Sequence, residues 1–381
     1  MNNLSALITE LCPNGVEYKE LQSVLKIKNG SDYKSFGEGD IPVYGSGGII
    51  AHTNRFAYDK PSVLIPRKGS VDKLYYVDVP FWNVDTIFYT EINTGLVIPR
   101  YVYHCLLREH LEKLNTAGGV PSLTQNVLNK VKIPVPPLEV QHEIVRILDT
   151  FTELTAELTA ELTARKQQYA YYRDNLLTFR IDIIRKSLDE LCIISAAGDA
   201  PKEALSLTKT AEYQIPVISN GIGENAFYGY TDKPKITEPA VTVAARGTIG
   251  YAEYRDYPYY PIIRLLSVIP KNTDVLATKY LYYCLQGKKY NVPSGGIPQL
   301  TAPELKKVVI PVPPLPVQQR IANVLDNFDA ICTDLNIGLP AEIEARKKQY
   351  EFYRDQLLTF AAQGDTILTD RQTDRQTDRR V

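Results

Sequence analysis

No run of apolar residues in this chain of 381 is long enough to cross a bilayer, which argues against a helical membrane span. The opening Met1-Asn2-Asn3-Leu4 lacks a basic stretch followed by an apolar core, so no secretory signal is expected. The five cysteines (Cys12, Cys105, Cys192, Cys284, Cys332) lie far apart and form no C-x-x-C pair. An odd, scattered set reads as reduced thiols in a cytoplasmic protein, not as a disulfide framework. His52, His104, His110 and His142 show no metal-ligand spacing with cysteine and read as surface or packing residues. Gly45-Ser46-Gly47-Gly48 is not followed by Gly-Lys-Ser/Thr, so it is no P-loop. No G-x-G-x-x-G opens a helix after a strand, and no N-P-P or D-P-P precedes an aromatic residue as in amino-methyltransferases. The chain therefore lacks the usual equipment of a phosphoryl- or methyl-transfer enzyme.

Excess charge is lacking too, the net value being −1, so composition does not announce a nucleic-acid binder. The distribution is slightly uneven. Residues 1–137 carry 14 basic against 13 acidic side chains and residues 181–314 carry 15 against 13. Residues 138–180 carry 5 against 7 and residues 315–381 carry 9 against 11.

What the chain does have is an internal repeat. Gly118-Gly119-Val120-Pro121-Ser122-Leu123-Thr124 returns as Gly295-Gly296-Ile297-Pro298-Gln299-Leu300-Thr301. Ile133-Pro134-Val135-Pro136-Pro137-Leu138 returns as Ile310-Pro311-Val312-Pro313-Pro314-Leu315, and Gln141, Leu148, Asp149 and Phe151 return as Gln318, Leu325, Asp326 and Phe328, all at an offset of 177. Farther on, Ala164-Arg165-Lys166, Gln168-Tyr169, Tyr172-Arg173-Asp174 and Leu176-Leu177-Thr178-Phe179 recur at an offset of 181. The second copy thus holds four extra residues within its helical region. Two long copies suggest a pseudo-two-fold molecule and not a solenoid of short repeats.

Each copy begins with short β-like runs punctuated by glycine and proline, near residues 41–44, 62–65 and 74–77, and near 215–218, 240–243 and 266–269. A helix is expected near residues 101–114 and again near 278–285, which makes both parts α+β domains. Beyond each Pro pair a long helix can begin. Ile144, Leu148, Phe151, Thr155, Leu158, Leu162, Arg165, Tyr169, Tyr172, Leu176 and Phe179 alternate spacings of four and three, a coiled-coil seam. The second copy repeats it through Ile321, Leu325, Phe328, Cys332, Leu335 and Leu339, then Arg346, Tyr350, Tyr353, Leu357 and Phe360, with a break expected at Pro340. The natural partner for each seam is the other, packed antiparallel. The resulting division is 1–137 and 181–314 as globular α+β domains, 138–180 and 315–362 as long helical segments, and 363–381 as a tail expected to be disordered.

Two variable domains alternating with two similar helices, each entered through I-P-V-P-P-L and carrying A-R-K-x-Q-Y and Y-R-D-x-L-L-T-F, resemble the specificity subunit of Type I restriction–modification enzymes. The opening Leu11-Cys12-Pro13-Asn14-Gly15-Val16-Glu17-Tyr18 resembles that family as well, and the resemblance runs from Leu11 to Phe360. It implies that each variable domain reads one half of a split, asymmetric site on double-stranded DNA and that the helices set the unread spacer. It further implies docking of two modification (methyltransferase) subunits, joined by restriction subunits. S-adenosylmethionine, ATP and Mg2+ would belong to those partners, with no cofactor, metal or catalytic residue in this chain. Two other readings stay open on the residues alone: part of a fused restriction–methyltransferase enzyme, and a coiled-coil scaffold with no DNA role.

The candidate DNA contacts are basic and amide side chains beside glycine, because glycine lets backbone amides approach phosphate and arginine can grip guanine. Arg67, Lys68, Gly69 and Ser70 parallel Arg246, Gly247 and Thr248; Ser46 in Tyr44-Gly45-Ser46-Gly47-Gly48 parallels Asn220 in Ile218-Ser219-Asn220-Gly221. Plain turns explain these segments equally well. Arg165 and Arg346 on the seam are candidates to meet a carboxylate of the facing helix or of a partner. The run Glu153-Leu154-Thr155-Ala156, repeated as 157–160 and 161–164, is a good solvated helix former and a candidate for setting spacer length.

The tail repeats Thr369-Asp370-Arg371-Gln372 as Thr373-Asp374-Arg375-Gln376 and then Thr377-Asp378-Arg379. A four-base unit, ACAG, read in triplets encodes Thr-Asp-Arg-Gln and returns to frame after four codons. Glu-Leu-Thr-Ala cannot arise this way, because a glutamate codon would force a next triplet ending in GA, which never encodes leucine. Slippage of an ACAG tract would alter the residues beyond Phe360 and leave the rest intact. The expected outcome is an uninterrupted ACAG tract in the coding DNA for residues 369–379; synonymous codons that break it would eliminate the mechanism.

Overall fold

A computed structural model describes residues 2–114, 122–179, 183–201, 203–290 and 298–360. The repeated Gly118-Gly119 and Gly295-Gly296 and the tail lie outside the described residues. The chain is α+β and divides into two compact units, residues 1–159 with 342–381, and residues 160–341.

The first repeat opens with α1 (Asn2–Leu11), β1 (Tyr18–Glu20), α2 (Leu21–Val24) and β2 (Leu25–Lys28). It continues through β3 (Ile41–Gly45), β4 (Gly48–Thr53), β5 (Ser62–Pro66), β6 (Tyr75–Val77), β7 (Trp82–Asn83) and β8 (Ile87–Ile92). Next come α3 (Pro99–Arg108), α4 (Gln125–Leu128), β9 (Lys132–Pro134) and the 39-residue α5 (Leu138–Leu176). The second repeat supplies β10 (Arg185–Ser187), α6 (Leu188–Leu191), β11 (Cys192–Ala196), β12 (Ile215–Ile218), β13 (Phe227–Thr231), β14 (Ala240–Ala244) and β15 (Ala252–Arg255). It ends with β16 (Tyr260–Pro261), β17 (Leu265–Pro270), α7 (Thr278–Leu285), α8 (Ala302–Lys306), β18 (Val309–Pro311), α9 (Leu315–Thr333) and α10 (Leu339–Leu357). No helix among the described residues is long and apolar enough to cross a membrane.

The sheets of the two units match strand for strand. A four-stranded sheet has the order β2-β8-β5-β6 in one and β11-β17-β14-β15 in the other. A three-stranded sheet runs β4-β3-β7 or β13-β12-β16, and a two-stranded one pairs β1 with β9 or β10 with β18. The central β5 and β14 are buried at every position, as their Val/Leu/Ala-rich runs require. The expected helix at 101–114 is instead α3 followed by a 3-10 turn at Leu111–Leu114; between them His110 has φ +47°, which no helix accommodates.

Local chemistry explains several repeated motifs. Leu123 and Leu300 are buried and donate their N–H groups to Arg67 and Ala245 at the ends of β5 and β14. Thr124 and Thr301 cap α4 and α8 through their hydroxyls, Thr301 in a capping box with Glu304. Ile133 and Ile310, from the I-P-V-P-P segments, are buried core residues.

The break expected at Pro340 falls just before it. α9 stops at Thr333 and α10 starts at Leu339, so Pro340 occupies the first turn of a new helix, where its missing N–H costs nothing. The first 19 residues of α5 repeat α9 and the last 19 repeat α10, so the four extra residues form the turn 334–338 where α5 has Glu157 alone. A Cβ on Gly338 would lie 2.6 Å from the Ala330 carbonyl, so glycine is required there. Leu335, expected on the seam, sits in this turn and is 78% exposed.

Each unit joins a half of α5 to a helix of the other repeat. In the first unit Phe151 stacks on Tyr353 at 5.1 Å. The Tyr18 hydroxyl, on the strand paired with the segment entering α5, donates to the Phe360 carbonyl at 3.1 Å. In the second unit Tyr172 stacks on Phe328 at 5.5 Å, and Cys332 lies within electrostatic reach of Arg165 and Lys166. Both pairings are antiparallel. Ile144, Leu148 and Leu325 are fully buried and Ile321 nearly so; Tyr350 and Tyr169 pack against the cores, while Leu158 and Leu162 are half-buried. Among the described residues neither Arg165 nor Arg346 forms an ion pair with a carboxylate of the facing helix. Each pairs with a glutamate four residues earlier on its own helix, Glu161 and Glu342, as exposed helical ion pairs do.

The direction of each helix is fixed by a buried glutamine. Gln141 donates through Nε2 to the Leu96 and Pro136 carbonyls at 2.9 and 2.7 Å and accepts from the Ile98 N–H at 2.9 Å. Gln318 repeats this with Val275, Pro313 and Ala277 at 2.8, 2.8 and 2.9 Å. Both side chains are fully buried. Leucine at either position would remove all three bonds and leave the backbone groups of a part-buried site without this partner. We expect Gln141→Leu and Gln318→Leu each to cost about 3 kcal/mol of stability in denaturant unfolding; a loss below about 1 kcal/mol would contradict the clamp.

Candidate nucleic-acid interface

Four sequence-predicted segments meet in pairs. In the first unit, Ser46 and Gly47 turn the chain between β3 and β4, with Gly45 opposite Gly48. The Tyr75 hydroxyl donates to the Ser46 carbonyl at 3.2 Å, and the Ser46 N–H donates to the Thr86 hydroxyl at 3.3 Å. The loop after β5 places Gly69 beside this turn at φ +76°, its missing Cβ 3.8 Å from the Ser46 Oγ. Lys68 and Gly69 are exposed; Ser46 and Ser70 are half-buried.

The second unit builds the same corner from different residues. Asn220 Nδ2 donates to the Arg246 carbonyl at 2.7 Å, and the Thr248 hydroxyl donates to the Asn220 carbonyl at 3.1 Å. Gly247 takes φ +74°, its missing Cβ 3.9 Å from Asn220 Nδ2. Gly247 and Thr248 are exposed and Arg246 half-buried.

The sequence pairing of Arg67 with Arg246 is off by one residue. The N–H of Leu123 binds the Arg67 carbonyl, and that of its counterpart Leu300 binds the Ala245 carbonyl. Arg67 therefore matches Ala245, and Lys68 matches Arg246. Arg67 lies over the Phe88 ring at 5.1 Å, and its buried Nε has no hydrogen-bond partner among the described residues. Two adjacent cations and no alignment gap hid this register in the sequence. Among the described residues no cluster of His, Cys, Asp and Glu could hold a metal ion.

The Asp of each repeated Leu-Asp pair is a residue whose role the sequence did not disclose. Asp149 on α5 takes Arg100 Nε at 2.8 Å and His104 Nε2 at 3.0 Å, both from α3. Asp326 on α9 takes Lys279 at 3.3 Å and the Tyr283 hydroxyl, both from α7. Arg100 also lies over Tyr76 at 4.7 Å and Lys279 over Tyr254 at 4.6 Å. The recurrence of Asp at offset 177 was the available signal, but the partners are too dissimilar in type to announce themselves.

The comparisons with known proteins are in accord with this duplicated architecture. The family "Type I restriction modification DNA specificity domain" matches residues 13–165 and again 182–345. The chain belongs to that family. A type I specificity subunit of Mycoplasma pneumoniae is 35% identical over 338 residues, covering 84% of this chain and 97% of the relative. One of Haemophilus influenzae is 31% identical over 94% of this chain and all of its own length, and the EcoR124I/EcoR124II specificity subunit of Escherichia coli is 35% identical over 71% and 73%. In fold, the S subunit from M. genitalium covers 90% of this chain and 95% of its own with a TM-score of 0.55 at 16% identity. A chain from a study of complex assembly in the type I R-M system covers 91% and 98% with a TM-score of 0.59 at 16% identity. The chain is thus a DNA-sequence-recognition subunit of a Type I restriction–modification system, a non-catalytic one. The reading as a scaffold without a DNA role is set aside.

The two Asp-centred clusters differ in how they titrate. Burial pushes His104 below its usual pKa, although Asp149 works the other way. Burial raises Asp149, but its bonds to His104 and Arg100 outweigh this and hold it below the usual range. A histidine with a depressed folded pKa loses stability as pH falls, because below about 6.5 the unfolded chain takes up a proton the folded one refuses. Tyr283 occupies this place in the second unit and stays neutral there. We expect thermal melts at pH 7.5 and 5.5 to show an acid-side loss that His104→Asn reduces; an unchanged difference would refute the assignment.

Proposed function

We propose that each unit reads one half of a split, asymmetric site on double-stranded DNA through its paired loops. In the first unit these are Lys68, Gly69 and Ser70 beside Ser46; in the second, Arg246, Gly247 and Thr248 beside Asn220. The observation that carries this is the same corner built twice from different side chains. A left-handed glycine leaves its backbone amide approachable by phosphate, and the neighbouring cation supplies charge and donors. Arg67, turned onto Phe88, supports the loop from beneath.

The helices set the unread spacer and dock two modification subunits, with restriction subunits joining them. S-adenosylmethionine, ATP and Mg2+ belong to those partners. In support, a structural neighbour comes from a study of complex assembly in the type I R-M system. The Glu-Leu-Thr-Ala run lies wholly within α5, with its Leu158 and Leu162 half-buried and most other positions exposed, so it sets length with few packing demands.

Methylated-base sequencing of DNA from cells expressing the chain with its modification subunit tests this. Lys68→Ala should weaken binding by the purified complex and reduce the slope of log affinity against log salt by about one. Exchanging residues 181–314 for another recognition domain should change one half of the methylated motif. Deleting residues 157–160 removes about 6 Å of helix and should shorten the gap by about one to two base pairs at roughly 3.4 Å each. A change in both half-sites on domain exchange would overturn the reading.

A further inference from the structure

Beside each loop pair lies an apolar feature that the charged corner leaves unexplained. Ile49 and Ile50, consecutive on β4, are 54% and 52% exposed. Phe227 and Tyr228, consecutive on β13, are 41% and 45% exposed. A β-bulge interrupts the alternation of the strand at each pair, so the two neighbouring side chains are not held to opposite faces by the pleat. In both units the strand is the edge of its three-stranded sheet. In both, the pair starts opposite the residue at a β-bulge: Tyr44 faces Ile49 and Ile218 faces Phe227.

Single exposed apolar side chains are ordinary, but the same register recurring in two domains with different residues is not. Each pair is tied to the loop corner. Ile50 packs against Gly45, one residue before Ser46. Ser219, next to Asn220, binds the carbonyl of Ala226 through both its N–H and its hydroxyl, immediately before Phe227. The Phe227 ring is steadied edge-on by Tyr230 at 4.9 Å. The loop that meets each corner carries a cation, Lys68 in one unit and Arg246 in the other. β-sheet readers place strands in the DNA major groove, where the apolar group on offer is the thymine C5-methyl.

We propose that Ile49-Ile50 and Phe227-Tyr228 each read a thymine methyl in the major groove, one pair per half-site. This rests on the reading that the loop pairs face DNA. An aliphatic pair in one unit and an aromatic pair in the other would fit different neighbouring bases, as an asymmetric site requires.

The test uses the chain with its modification subunit on duplexes carrying its own methylated motif. Each thymine is replaced singly by uracil, which lacks only the methyl group, so the wild-type measurement needs no variant to fold. One position in each half-site is expected to lose about fourfold in affinity, the value of one buried methyl. Ile49→Ser with Ile50→Ser should abolish that loss in one half-site only, and Phe227→Ser with Tyr228→Ser in the other. Indifference to uracil at every position, or sensitivity that persists in the variants, would overturn the proposal. If Lys68→Ala weakens binding while uracil has no effect, the loop reading stands and this one falls; if neither matters, both fall. Variants that instead impair assembly with the modification subunit, or alter oligomeric state, with an unchanged uracil profile would assign the pairs to a protein contact and overturn it.

Discussion

Leu148, in the first half of α5, and Leu358, just past the end of α10, are fully buried in one core. The counterpart core holds Leu325 of α9 together with Leu176 and Phe179 from the end of α5 and just beyond. Each unit is therefore finished by a half-helix that the other repeat encodes. Burying a leucine stabilises by about 2 kcal/mol, so neither core is complete without the borrowed helix. The stacks of Phe151 on Tyr353 and Tyr172 on Phe328 extend this dependence along the seam. The glutamine clamps at Gln141 and Gln318 hold the entering helix at a set direction, so that the seam meets its partner.

Within that shared frame the two units have diverged in their interiors. The residue paired with Ser62 is Val77, buried among apolar neighbours, while its counterpart paired with Ala240 is Arg255, nearly as deeply buried. Arg255 binds Glu253 at 2.8 Å and the Tyr257 hydroxyl at 2.7 Å, so its charge is compensated inside the domain. His104 and Tyr283 likewise solve one packing problem with different chemistry. What both units keep is backbone geometry: a left-handed glycine at Gly69 or Gly247 against the hairpin corner.

Six of the strands, the seam, the break near Pro340 and the two-fold repetition were legible because each arises from local pattern: β-like runs, heptad spacing, a missing N–H, an identical motif at fixed offset. The bases of the candidate corner were legible as residue types, since glycine beside a cation limits what a loop can do. The pairing of Ser46 with Gly69 and of Asn220 with Arg246 was not, because it depends on strand order in the sheets, which brings together segments more than 20 residues apart. Arg67 shows the same limit: sequence supplied two adjacent cations, and only the hydrogen bond from Leu123 shows which one the strand end turns inward. The sequence by itself determined that there are two copies of one domain-plus-helix unit, because duplication is written in the motifs. Which half-helix completes which core was decided by tertiary structure, because identical seams are equally complementary to either partner until the buried contacts of a whole domain choose between them.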